Sequence, residues 1–185
     1  LLYQTGKISG KPQYLKAKAA FEKSKLPEAW VCLGQLYEEG RITPKPDHKE
    51  AERCFLKAGT PNAWLGIASL HFEGKLNGKP DYLQAEKYFL KSNTPNALYN
   101  LGLMYLQGKI GGEPNYQKAE QYFLASNLPL SLYNVGVMYE KGFLSGMPNL
   151  QQAKKYYEKA NEGNSLCKLG TLHARGKFGT LPDYK

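Results

Sequence analysis

In the stretch 97–108, Leu98, Leu101 and Tyr105 return at three- and four-residue steps. That spacing predicts an α-helix with one apolar stripe. Thr94-Pro95 stands before it, an N-cap type followed by a proline in the first turn, where the missing N–H costs nothing. Gly108 follows, a residue able to take the left-handed conformation that ends helices. A second helical pattern lies just upstream, where Ala85, Tyr88, Phe89 and Ser92 share a stripe and Glu86, Lys87 and Lys91 face water. Asp47, Asp81, Asn115 and Asn149 are N-cap types for this second helix. Asp47 with Glu50, and Asp81 with Gln84, have the spacing of capping boxes.

Both patterns recur every 34 residues without insertion. Prolines fall at 12, 46, 80, 114, 148 and 182, glycines at 6, 40, 74, 108, 142 and 176, and aromatics at 21, 55, 89, 123 and 157. A fixed period of this length is the mark of stacked supersecondary units. The expected fold is all-α, a right-handed α-solenoid of stacked antiparallel helix pairs in which neighbouring repeats bury one another's stripes. Residues 1–185 read as one solenoid segment of about five repeats, incomplete at both ends. Residues 2–6 look like the tail of a first helix and residues 181–185 like the start of a second, so a longer solenoid, or ends packed on something else, is expected. Gly34, Gly102, Gly136 and Gly170 fall in mid-helix, with Ala68 in the same slot of one repeat. Glycine there costs about 1 kcal/mol, so a close approach of the partner helix is required. Ala51, Ala85, Ala119 and Ala153 are expected on the other side of that contact.

The run Leu33-Gly34, Tyr37, Gly40, repeated as Leu101-Gly102, Tyr105, Gly108, is followed by a proline-containing loop and then by Lys118-Ala119 with Tyr122-Phe123. Val135-Gly136, Tyr139, Gly142 and Leu169-Gly170, His173, Gly176 are variants of it. This combination resembles the Sel-1-like repeat, a relative of the tetratricopeptide repeat. The 11 residues from Gly74 to Ala85 form a longer inner loop than a tetratricopeptide unit has, and the connection Asn93-Thr94-Pro95 is correspondingly short. The resemblance implies an adaptor or scaffold that assembles protein complexes, as in quality control at the endoplasmic reticulum, bacterial signalling or host interaction. Fold alone does not name a partner.

First helices in such stacks line the inner face. The positions left over from the core form a map with an apolar, aromatic middle: Leu65, Phe72, Tyr99, Leu103, Leu106, Tyr133 and Val137, with Asn100 and Asn134 one repeat apart beside them. Tyrosines offer wide contact area with a polar tip, and an Asn amide both donates to and accepts from a peptide backbone. These nine residues are the expected partner-binding groove for a peptide or helix of another protein. The competing reading packs the tyrosines between repeats and bonds the asparagines internally.

The net charge is +9, and Lys7, Arg41, Lys75, Lys109 and Lys177 recur as a basic edge broken by Phe143. Cations near helix C-termini account for such a row without a ligand. Nucleic-acid binding is an alternative the composition disfavours, since only Arg41, Arg53 and Arg175 are arginines. A second alternative is a structural subunit buried in a large assembly. His48, His71 and His173 stand in aromatic slots of the repeat, the glycines follow the period rather than a phosphate loop, and no metal-ligand spacing occurs. An enzyme, a cofactor and a metal are therefore not expected. Cys32, Cys54 and Cys167 are odd in number and differ in register, which points to free thiols and a reducing, cytoplasmic setting. No apolar stretch is long enough to span a membrane.

Overall fold

The computed structural model describes residues 13–178, so the tail expected at 2–6, the start expected at 181–185 and Lys7 lie outside the described residues. Ten α-helices follow one another: α1 (Tyr14–Ser24), α2 (Pro27–Glu38), α3 (His48–Ala58), α4 (Pro61–Phe72), α5 (Tyr82–Ser92), α6 (Pro95–Leu106), α7 (Tyr116–Ser126), α8 (Pro129–Lys141), α9 (Leu150–Ala160) and α10 (Gly163–Ala174). No strand occurs among the described residues. The even-numbered helices are the first helices of the repeats and the odd-numbered ones the second. The chain forms two compact units, with the boundary after Thr94. Within unit 1, α2 packs on α3 and α4 on α5; within unit 2, α6 packs on α7 and α8 on α9. The architecture is an α-solenoid of helix pairs.

Side-chain caps start the helices where the residue types allow. Asp47, Asp81, Asn115 and Asn149 accept from the backbone N–H groups of Glu50, Gln84, Lys118 and Gln152, each at 3.0 Å. Thr60 accepts from the N–H of Ala63. The return half of the expected capping boxes is not made. The backbone N–H groups of Asp47 and Asp81 donate at 2.9 Å to the carbonyls of Tyr37 and His71, which closes the inner loop onto the first helix. Glu50 is thereby left to pair with Arg53. The loop also explains its glycine: Gly74 has φ of +72°, and a Cβ there would lie 2.5 Å from the backbone of Lys79.

The mid-helix glycines do face a close approach, but the expected partner is corrected. The alanines at 51, 85, 119 and 153 are fully buried, yet the atoms nearest the missing Cβ belong to the aromatic four residues later. A Cβ on Gly102 would sit 2.5 Å from the Phe123 ring, one on Gly34 2.5 Å from Phe55, and one on Gly136 2.6 Å from Tyr157. Alanine and aromatic share one helical stripe, and the longer side chain is the one that reaches the notch. Phe55 also lies against Gly66 of α4, so a single ring joins its own repeat to the next. Gly170, in the same slot, has nothing within 4 Å among the described residues.

Buried serines tie helix ends together. Ser92 donates to the carbonyl of Pro61, and Ser126 to that of Pro95, both at 2.8 Å. Ser131 donates in turn to Ser126. Ser165 is fully buried in the slot of Ser131, but Ala160 replaces Ser126 there and its hydroxyl has no partner among the described residues.

Two stability tests follow from this packing. In urea unfolding, Gly102→Ala should lose about 1–2 kcal/mol, because overpacking against Phe123 outweighs the gain in helix propensity. A gain in stability on Gly102→Ala would contradict the ring-and-notch account. Ser165→Ala should be neutral or stabilising by up to about 1 kcal/mol, while Ser131→Ala should destabilise, since only the former removes an unpaired buried hydroxyl.

Candidate functional site

The nine groove residues divide between the units. Leu65 and Phe72 stand on α4 of unit 1; Tyr99, Asn100, Leu103 and Leu106 stand on α6, and Tyr133, Asn134 and Val137 on α8, all of unit 2. Every one of them is half-buried. The Phe72 ring is engaged inside unit 1 by Tyr82 at 5.7 Å and Phe89 at 6.4 Å. Tyr99 leans on Phe123 at 5.9 Å and Tyr133 on Tyr157 at 5.6 Å, so each tyrosine is braced from below by the ring of its own repeat. The side-chain amides of Asn100 and Asn134 make no hydrogen bond among the described residues, in contrast to the internal bonding that the competing reading requires.

Further along the same face, α8 and α10 enclose a cleft of about 320 Å³ lined by Tyr133, Glu140, Lys168, Thr171 and Arg175 among others. Glu140 is its best-anchored group. One carboxylate oxygen accepts from the Tyr157 hydroxyl and the other from the Lys168 ammonium, the latter at 3.2 Å. Burial works against its charge, but these two donors outweigh it and hold the carboxyl below its ordinary range. Burial and the bond to Glu140 push the Tyr157 phenol strongly up. Sequence reasoning missed this network. Its signal was present: the aromatic column is Phe at 21, 55, 89 and 123 and turns to Tyr at 157, within reach of Glu140 and Lys168.

The basic edge is largely structural. The backbone N–H groups of Arg41, Lys75, Lys109 and Lys177 donate to the carbonyls of Leu36, Leu70, Met104 and Leu172, closing the ends of first helices. Arg41 is paired with Glu39, and Lys75 lies 2.7 Å from Glu73 and 3.0 Å from Glu38. Phe143, where the row breaks, stacks on Tyr116 at 4.7 Å. His71 stacks on Tyr88 and meets Glu52 at 3.5 Å, and His173 meets Phe178 at 4.8 Å. His48 opens α3. No cluster of His, Cys, Asp and Glu able to hold a metal occurs among the described residues. The three thiols are free; Cys54 is buried, which pushes it up to about 11. Among the described residues no helix is long and apolar enough to cross a membrane.

The Glu140 network has a pH signature. A carboxyl held below its ordinary value of 4.5 contributes stability that is complete above that value and is lost as pH falls through the folded-state value. Melting temperature measured from pH 6 down to about pH 3 should therefore drop more steeply for the native chain than for Glu140→Gln, the two curves converging at the acid end. Parallel curves would mean that the network is not coupled to folding.

The geometry agrees with what the chain is similar to. The Sel1 repeat model matches residues 33–60, 62–93, 95–126, 129–165 and 163–185. A Sel1 repeat protein from Oxalobacter formigenes superposes with a TM-score of 0.66 at 24% identity, covering 82% of this chain and 64% of that one. The protective antigen c5321 of uropathogenic Escherichia coli, which displays an SLR fold, gives 0.52 at 22% identity, covering 99% of this chain and 49% of that one. The chain thus spans about half to two thirds of the length of these structures, which share its fold. No curated protein sequence matches it. Sel1 repeat proteins are in general protein-interaction scaffolds and are typically non-catalytic. With its repeats matched from residue 33 to residue 185, this chain belongs to the Sel1 repeat family.

Proposed function

We propose that the chain is an interaction scaffold whose first-helix face in unit 2 takes a segment of a partner protein. The observation that carries this reading is the pair of unbonded amides, Asn100 and Asn134, half-buried among Tyr99, Leu103, Tyr133 and Val137. Neither amide is among the buried polar atoms left without a partner, so both are open to water, and a peptide backbone laid along the face supplies both a donor and an acceptor. The braced tyrosines add wide contact area at little entropic cost, because their rings are already held by Phe123 and Tyr157. A nucleic-acid reading gains nothing from the basic edge, whose Arg41 and Lys75 already carry acidic partners.

The test begins with a random peptide library displayed on phage and panned on the full chain. Selected peptides are then titrated by fluorescence anisotropy. Asn100→Leu and Asn134→Leu should each weaken binding roughly five- to twentyfold while leaving the melting temperature within a few degrees. Lys109→Gln, on the loop edge, should leave affinity unchanged. Peptides that bind the Asn variants as well as the native chain would sink the proposal.

A further inference from the structure

The first-helix face of unit 2 changes character along its length. On α6 it presents Tyr99, Leu103 and Leu106; on α8, Tyr133 and Val137 give way to Glu140; on α10 the same columns hold Cys167, Lys168, Thr171 and Ala174. Three charges line the cleft between α8 and α10: Glu140, Lys168 and Arg175. Glu140 already holds two donors, Tyr157 on one oxygen and Lys168 on the other. Lys168 in turn is neutralised by Glu140. Arg175 is exposed and has no acidic partner among the described residues, so the cleft carries one uncompensated positive charge, and it is a guanidinium.

Resting on the groove reading above, we infer that the partner segment is an extended peptide with two recognition elements. Apolar or aromatic side chains lie over α6 and α8, and an aspartate or glutamate side chain enters the α8–α10 cleft to pair with Arg175. Charge complementarity selects this occupant. An arginine at a helix C-terminus needs no ligand to be favourable. Arg175 differs in that it faces a cleft whose one carboxylate is already engaged by two other donors. An incoming acid therefore meets a planar, bidentate donor that no acid of the described residues holds. A basic side chain in the same place would meet the like charges of Lys168 and Arg175. At about 320 Å³ the cleft is at the small end for a ligand site, which suits one side chain of a longer peptide better than a whole small molecule.

The experiment uses the panned peptides on the full chain. The inference expects an Asp or Glu at a fixed distance from an apolar residue in the selected sequences. It expects Arg175→Gln to weaken those peptides roughly tenfold, Arg175→Lys to restore part of the loss, and raised salt to narrow the difference. Arg175→Glu should reverse the preference, so that peptides with Lys in place of the acid now bind better than the originals. Peptides that depend on Asn134 but show no acidic bias and ignore Arg175→Gln would overturn this inference and leave the groove reading standing. Peptides indifferent to Asn134→Leu, or a library yielding no binder, would overturn both.

Discussion

On α3, α7 and α9 an aromatic ring of the second helix enters a notch where the first helix has no side chain. The ring of Phe123 occupies the space a Cβ on Gly102 would need, Phe55 does the same at Gly34, and Tyr157 at Gly136. Glycine in a helix interior costs about 1 kcal/mol relative to alanine. Burying a phenyl ring returns about 2–3 kcal/mol, so the exchange favours the pair. Phe55 touches Gly66 with its other edge, which makes the same ring the contact to the neighbouring repeat in unit 1. Stability of such a stack is a sum of intrinsic and nearest-neighbour terms, and here one residue serves both.

A second ring layer lies on the stripe beside the first. Tyr105 stacks on Tyr122 at 5.5 Å, Tyr139 on Tyr156 at 5.6 Å and His71 on Tyr88 at 5.7 Å. Each first-helix ring also reaches a polar group: Tyr139 donates to Glu120 at 2.7 Å, Lys118 donates to Tyr105 at 3.3 Å, and His71 meets Glu52. Burial, helped by Glu120, pushes the Tyr139 phenol up to about 12, so it remains a donor at any physiological pH. Histidine fits this column because it keeps both requirements, a flat ring and a polar edge. That is a packing role.

Periodicity made the helices, their order and most caps legible, because each depends on local residue types repeated in register. What it could not resolve was contact. Ala119 and Phe123 lie on one stripe, and a period cannot say which of them meets Gly102; reach decides, and reach is three-dimensional. The missing return bonds of the capping boxes failed for a similar reason, since Tyr37 and His71 compete for the same N–H groups from ten residues upstream. The left-handed ends of the second helices at Lys25, Asn93, Asn127 and Asn161 were readable but unread: asparagine recurs there at the period and tolerates positive φ. At the site, the columns of Tyr99 and Asn134 were visible in the sequence. The Glu140–Tyr157–Lys168 network left one mark, the change from Phe to Tyr at 157, but it joins three helices whose spacing the period does not give.

This division bears on where function can lie. Core columns are held by the ring and notch, and loop columns by the backbone bonds that close first-helix ends, so substitutions in either are answered by loss of stability. The first-helix face carries neither burden in full. Its tyrosines are supported from beneath yet half-exposed, its asparagines satisfy nothing internal, and among the described residues one acid is held by two donors while one arginine has no acid. Affinity and selectivity can therefore vary separately. In the proposed reading the tyrosines set how much surface a partner buries, whereas the charge at Arg175 sets which partners pass, since electrostatic matching discriminates more than it strengthens.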